Sequence, residues 1–223
     1  MNIKVILFIT SLALMPLAYA NNNFENGQEN CETPQGLAAA AKSAALLSCK
    51  WIEALGSGKA YMEKFRNLKD IKDIAERKKI LEEFNKKAFA LIMRNRHCKN
   101  NYVWIESYAE NLTKDSPADL IRMLLHPVKP GLETNLDLTH KEYYGYKIFE
   151  QFNISAEKKP AGCWVPYKWT LQGTEGQVDK ISYVVRCKDK DDGKFVVAGA
   201  GFYAPHKTIP EKEQCSMNPH PFN

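Results

Sequence analysis

Residues 162–173, GCWVPYKWTLQG, combine a cysteine, two tryptophans, a tyrosine and a proline in one short run. Apolar residues occupy every second position, which is typical of a β-strand with a buried face. Three other segments of the C-terminal half show a similar pattern between turns that contain glycine or proline. The four predicted strands are residues 142–152, 163–171, 178–187 and 194–203. Their short connections predict a four-stranded antiparallel meander over residues 140–204.

The predicted strands can be aligned so that one apolar face runs through the whole sheet. In that register Cys163 faces Cys187 and Val165 faces Val185. Directly opposed positions on neighbouring strands have the Cα separation of a disulfide, so Cys163–Cys187 is the predicted bond. Pro166 cannot donate a ladder hydrogen bond, which is at odds with an inner strand and predicts a bulge or an unpaired site there.

An even number of cysteines in an exported chain predicts disulfides, and this chain has six. The main alternative to Cys163–Cys187 joins Cys187 to the C-terminal tail. The pairing of the remaining four stays open, with Cys98 bonded either to the first helix or to the residues before it. These four are Cys31, Cys49, Cys98 and Cys215.

The N-terminal half, residues 33–127, predicts a layer of about four helices. Thr33 is suited to cap the first of them, and Pro34 fits its first position. The segments with helical character are about 34–55, 60–68, 69–95, 100–112 and 116–125. In the clearest one, 69–95, apolar residues recur at helical spacing as a buried face. They are Ile71, Ile74, Leu81, Phe84, Ala88 and Leu91.

Helices followed by strands predict an α+β fold in which the helical layer packs on the sheet. We expect a single domain over residues 33–205 and an irregular tail over 206–223. The layout resembles that of NTF2-like and cystatin-like folds, and this resemblance of layout carries no site residues to the chain. Such architectures serve both enzymes and binding proteins.

The first twenty residues have the features of a secretory signal peptide. Lys4 gives the positive start, Val5 to Leu17 is almost wholly apolar, and Ala18-Tyr19-Ala20 provides small residues at a cleavage site. Residues 21–32 are expected to be a flexible leader. The chain is therefore predicted to be exported to the periplasm or the cell exterior, with no transmembrane segment after cleavage.

Charge and motif spacing argue against several functional classes. The net charge is +5 and shows no basic stripe interleaved with aromatic residues, so nucleic acid is not an expected partner. The cysteines lack the tight pairs of a zinc site, and no close histidine spacing predicts a metal. No glycine-rich nucleotide fingerprint occurs, and no cofactor is predicted.

The two faces of the predicted sheet provide the candidate sites. The inner face is expected either to be a filled core or to line a pocket for a small apolar or aromatic ligand. Its candidate residues are Tyr144, Tyr146, Tyr167, Trp169 and Tyr183. The outer face is unusually apolar for a solvated surface, which predicts contact with a partner protein. Its candidate residues are Phe149, Trp164, Lys168, Arg186 and Phe202.

The leading hypothesis is an exported, disulfide-stabilised binding or interaction protein without catalytic activity. One alternative is a small secreted hydrolase whose site is assembled from scattered residues. It requires a histidine beside a carboxylate and a hydroxyl, and the candidates are His97, His126, His140 and His206. A further alternative is a structural subunit of an envelope or secretion assembly.

Overall fold

A five-stranded antiparallel sheet lies between helices on both of its faces in the computed structural model. The structure describes residues 31–94, 96–98, 101–110, 112, 120–134, 137–138, 147–171 and 175–215. The predicted signal peptide and nearly all of the predicted leader lie outside these residues. The predicted α+β class is confirmed, with one more strand than expected.

The sheet contains three of the four strands of the predicted meander and adds two strands from the N-terminal half. Its strands are β1 (Val103–Ser107), β2 (Met123–Leu125), β3 (Cys163–Trp169), β4 (Val178–Lys188) and β5 (Phe195–Tyr203). Their order across the sheet is β2-β1-β5-β4-β3, and every neighbouring pair is antiparallel. The strand from the C-terminal end, β5, is therefore central and pairs with a strand from the N-terminal half.

The first predicted strand, 142–152, is wrong where the structure describes it. Residues Ile148–Lys158 form helix α5, which packs on β3 and β4. Ile148, Phe149, Phe152 and Ala156 are buried and follow a helical rather than an alternating period. Without that first strand, β3 is an edge strand, and the position of Pro166 no longer conflicts with the sheet.

Two segments predicted as helices are strands. Within 100–112 lies β1, and within 116–125 lies β2. Val103, Trp104 and Ile105 are all buried because β1 is covered on both faces. A continuous apolar run of this kind has no alternation, so its periodicity does not distinguish a strand from a buried helix.

The first predicted helix is confirmed as α1 (Pro34–Leu55). The Thr33 hydroxyl accepts a hydrogen bond from the Gly36 amide at 3.0 Å, and Gly56 ends the helix with a positive φ of 77°. The alanine-rich side of α1 faces β4 and β5. None of the helices in the described part of the chain has the length and apolar character needed to cross a membrane.

Three shorter helices follow α1. They are α2 (Lys59–Arg66), α3 (Ile74–Asn85) and α4 (Ala88–Arg94). The single helix predicted over 69–95 is therefore divided into α3 and α4. Ile74 and Leu81, predicted to face inward, are exposed by 79% and 40%.

The register between strands differs from the predicted one. Cys163 faces Val184, and Tyr183 faces Ala200. The shift is an odd number of residues, which moves Cys187 to the opposite face from Cys163. Helices cover both faces of the sheet, so both sets of alternate residues are largely apolar and the pattern does not determine which register forms.

The register shift also overturns the predicted disulfide Cys163–Cys187. Three bonds occur: Cys31–Cys98, Cys49–Cys187 and Cys163–Cys215, with Cα separations of 5.3, 5.2 and 5.4 Å. They join the start of α1 to the region after α4, the body of α1 to β4, and edge strand β3 to the tail. Such bonds are typical of chains that fold in an oxidising compartment, in agreement with the predicted export.

Part of the predicted irregular tail is ordered against the sheet. The Cys215 amide donates to the Trp164 carbonyl at 2.8 Å, and Gln214 forms a parallel bridge with Trp164. The tail thus covers part of the exposed edge of β3, which limits unwanted pairing with other chains.

The turn between β4 and β5 is bound to the loop after α1 through Asp189. This buried carboxylate accepts hydrogen bonds from the Ser57 amide at 2.9 Å and the Ser57 hydroxyl at 2.5 Å. Lys59 lies 3.6 Å away and also pairs with Asp192 at 2.6 Å. The contacts fix the end of α1 over the end of the β4–β5 hairpin.

We expect Asp189→Ala to lower the free energy of unfolding by about 2–4 kcal/mol, because buried polar groups of Ser57 lose their charged acceptor. Asp192→Ala, at a more exposed site of the same turn, is the matched control and should cost less than about 1 kcal/mol. Urea unfolding followed by circular dichroism measures both. Equal effects of the two substitutions would show that Asp189 does not hold this junction.

Candidate functional site

A lysine is buried at the end of the sheet where β4 begins. Lys180 is 2% exposed, and its ammonium donates to the Tyr102 hydroxyl at 3.1 Å. The nitrogen also lies 4.3 Å from the ring centre of Tyr102, 5.0 Å from that of Tyr203 and 6.0 Å from that of Tyr167. Three tyrosine rings therefore surround one cation.

The sheet register produces this arrangement. Lys180 is the cross-strand neighbour of Tyr167 on β3 and of Tyr203 on β5, so the three side chains share a face. Gly201 lies two residues before Tyr203, and a Cβ there would overlap the Ser182 hydroxyl and the Ile181 carbonyl. Because Gly201 has no side chain, the Lys180 side chain has room to lie next to it.

Lys180 has no counter-ion among the residues that the structure describes. Burial, and to a smaller extent the charge of Lys129, lowers the pKa of Lys180 from 10.5 to about 7. Buried charges in proteins are ordinarily paired, because the loss of hydration must be offset. An ammonium among tyrosines without a carboxylate therefore marks a site that favours an anion.

Two buried histidines adjoin the lysine. Burial lowers the pKa of His97 to about 4 and that of His126 to about 3, so both are neutral near pH 7. His97 Nε2 lies 3.2 Å from the Gly201 carbonyl, while its Nδ1 has no hydrogen-bond partner. His126 Nδ1 accepts from the Lys129 amide at 2.9 Å.

Two half-buried cations lie at the border of the cluster. The Arg96 guanidinium is 5.8 Å from the ring centre of Tyr102, and the Lys129 ammonium is 4.8 Å from that of Trp169. A buried carboxylate also adjoins His126: Glu133 accepts from the His126 amide and is paired with Arg66. Charges act strongly in an environment of such low polarity.

A small cavity adjoins Lys180 through Tyr102. Its volume is about 10 Å³, room for about one water molecule. Tyr102 belongs both to the cavity wall and to the tyrosine group around the ammonium. The full wall is aromatic apart from one methionine: Tyr102, Trp104, Met123, His126, Phe149, Phe152, Tyr167 and Trp169.

The structure brings together two of the five predicted ligand-binding residues. Tyr167 and Trp169 lie in the aromatic cluster, with ring centres 6.1 Å apart. Tyr183 is on the opposite face of the sheet, where its ring is 5.1 Å from that of Trp164. Tyr144 and Tyr146 lie outside the described residues. The predicted inner face is thus divided between the two sides of the sheet by the register shift.

The predicted partner surface is not an exposed surface. Phe149, Trp164 and Phe202 are buried, because helices and the tail cover both faces of the sheet. Lys168 pairs with Asp179 at 3.2 Å. The Arg186 guanidinium lies 5.1 Å from the ring of Tyr108 and 4.7 Å from that of Phe195.

The histidines are not arranged as the hydrolase alternative requires. One ring nitrogen of His97 and one of His126 bond backbone groups, and neither imidazole is paired with a described carboxylate. His206 lies 3.7 Å from Asp179 and 3.0 Å from the Tyr167 carbonyl. His140 is outside the described residues. No group of three or more potential metal ligands occurs in the described ranges.

A buried carboxyl lies on β1. Glu106 is held by the Asn153 amide of α5 at 2.7 Å, and burial raises its pKa well above the ordinary value. Its hydrogen-bond partner is Asn153 of α5, and no ion pair joins it to Lys180 in the described part of the chain.

Sequence reasoning missed Lys180 because a single lysine in a strand ordinarily faces solvent. One signal was present: Lys180 and Ser182 alternate with apolar residues beside the small residues of β5, which leave space for a buried polar side chain.

Similarity to solved structures is confined to layout. A Cache chemosensory domain studied for carboxylic acid recognition has a TM-score of 0.41 and 18% identity, over 88% of this chain and 100% of that one. The periplasmic sensor domain of a chemotaxis protein has a TM-score of 0.40 and 19% sequence identity, over 88% of this chain and 100% of that one. A methyl-accepting chemotaxis protein from Vibrio parahaemolyticus has a TM-score of 0.40 and 16% sequence identity, over 67% of this chain and 84% of that one. No family model matches the chain.

We expect Lys180→Met to change how stability depends on pH. From pH 7 to 10.5 the unfolded chain holds a proton on Lys180 that the folded chain has released, so this group makes wild-type stability rise with pH. The variant lacks that contribution. The stability of the wild type relative to the variant should rise by up to about 1.4 kcal/mol per pH unit above pH 7.

Urea unfolding of both proteins between pH 6 and 9.5 measures this difference, below the range in which unfolded tyrosines ionise. Lys168→Met, at the half-exposed lysine of β3, is the control and should follow the wild type. A stability difference for Lys180→Met that stays constant with pH would show that the ammonium has its ordinary pKa.

Proposed function

We propose that the protein is an exported, non-catalytic binding domain for a small organic acid, with Lys180 as the anchor for the carboxylate. The observation that carries this proposal is the buried ammonium, which has tyrosine rings and a tyrosine hydroxyl around it and no carboxylate among the described residues. A bound carboxylate supplies the missing counter-ion.

The surroundings of Lys180 favour an anion over a neutral ligand. A hydrogen bond between an ammonium and a carboxylate is roughly twice as strong as one between neutral groups. The Arg96 and Lys129 charges add to the positive potential near the aromatic cluster. The Tyr102 hydroxyl accepts from the ammonium and is the group that a bound carboxylate would replace, whereas the Tyr203 hydroxyl donates to the Thr170 carbonyl at 2.9 Å.

The size of the cavity restricts the ligand. A volume of about 10 Å³ holds about one water molecule, so even a short acyl chain enters only if the walls move. Tyr102 lines this cavity and bonds the ammonium, so a ligand that reaches Lys180 from the cavity has to displace the Tyr102 hydroxyl. Binding therefore couples carboxylate capture to a movement of Tyr102, the residue immediately before β1.

The binding class is favoured over the hydrolase because the imidazoles near the site face backbone groups. The Cache domain with a similar layout recognises carboxylic acids, which is the same ligand class. The support for the class in this chain comes from the contacts of Lys180.

Isothermal titration of short carboxylates, with propionate and lactate as probes, tests the proposal. We expect binding at pH 6.5 that weakens by up to about tenfold per pH unit above pH 7, because the ammonium loses its proton. Lys180→Met should abolish binding, whereas Lys168→Met should leave it unchanged.

Propionamide is the matched neutral ligand, since it has the same shape without the charge. Equal binding of propionamide and propionate, or unchanged binding by Lys180→Met, would contradict the role of the ammonium. Absence of heat with every carboxylate tested at pH 6.5, while the protein is folded, would contradict the proposed ligand class.

A further inference from the structure

An open groove lies along α3, on a face that adjoins the one carrying buried Ile80 and Phe84. It has a volume of about 370 Å³ and runs between the short 3-10 turn at residues 68–70 and α3. Leu68, Ile74 and Leu81 supply its apolar residues, and Lys69, Arg77 and Lys78 supply its charges. This volume is large enough for one or two inserted side chains, in contrast to the cavity near Lys180.

The apolar residues of the groove form a second stripe on α3. Ile80 and Phe84 are buried and attach the helix to the rest of the fold. Ile74, Arg77, Lys78 and Leu81 follow the spacing i, i+3, i+4, i+7, which is one face of a helix. Ile74 and Leu81 are the most exposed large apolar residues of the described chain, at 79% and 40%.

The charged residues of the groove all have one sign. Its lining contains three basic side chains and no acid. Arg77 is fixed in place, since its guanidinium donates to the Ile71 and Lys69 carbonyls. Lys78 has one exposed and distant acid, Glu82, at 3.9 Å. An apolar floor with a basic rim is complementary to an apolar segment with acidic flanks.

We propose that this groove binds an acidic amphipathic helix of a partner protein. Such a helix can place apolar residues, spaced i, i+3 or i+4 and i+7, between Ile74 and Leu81. Its glutamates or aspartates then face Lys69 and Lys78. The groove is separate from the Lys180 site, so this inference does not depend on the proposed ligand. The protein-docking surface is then on α3 and not on the outer face of the sheet, where the sequence predicted it.

Fluorescence anisotropy with a labelled synthetic helical peptide tests the inference. The probe carries leucines at helical spacing and glutamates on both flanks, and a second probe has lysines in place of the glutamates. We expect saturable binding of the glutamate peptide alone, weakened at least about tenfold by Lys69→Glu with Lys78→Glu, because like charges then meet.

Ile74→Ser is a second variant and should weaken binding without loss of fold, since its side chain is mostly exposed. The matched control reverses two other exposed lysines, Lys50→Glu with Lys207→Glu, and should bind as the wild type does. Thermal unfolding monitors all variants.

Three results would overturn the inference. One is equal binding of both peptides, and another is binding that the groove variants do not change. The third is binding to phosphatidylglycerol vesicles that the groove variants abolish, with no binding of the glutamate peptide, which would make the groove a membrane contact.

Discussion

The central strand β5 has no side chain larger than a methyl group from Ala198 to Gly201. On one face, Ala198 and Ala200 lie in the same core as the alanine side of α1. On the other, Gly199 lies beneath the Trp104 ring, which would overlap any Cβ there, and Gly201 leaves room beside Lys180. Both the close packing of α1 and the buried lysine depend on this absence of side-chain bulk.

The parts of the fold with local signals were predictable from the sequence. A cap and a glycine stop delimit α1, and turns separate β3, β4 and β5, so these elements were found. The register was wrong because a sheet covered on both faces has two apolar sets, and alternation then fits more than one alignment. The disulfide prediction failed with it, since Cys187 lies on the face that meets Cys49 of α1.

The candidate site was predicted only in its aromatic part. Tyr167 and Trp169 stand out in the sequence, and both lie in the cluster. The residue that gives the cluster its chemistry, Lys180, depends on a cross-strand alignment and on Gly201 from another strand. Long-range pairing of this kind leaves only a weak local pattern, here the alternation of Lys180 and Ser182 with apolar residues, whereas the structure shows the buried ionisable group directly.

Lys180 is a buried amine with no counter-ion among the residues that the structure describes, and the proposed carboxylate ligand supplies one. An NMR titration of the Lys180 side chain, followed at the carbon next to its ammonium, measures this directly. We expect a midpoint near pH 7 without ligand and a higher one with saturating propionate, because the carboxylate stabilises the charged form. A midpoint near 10.5 that propionate does not move would contradict the account.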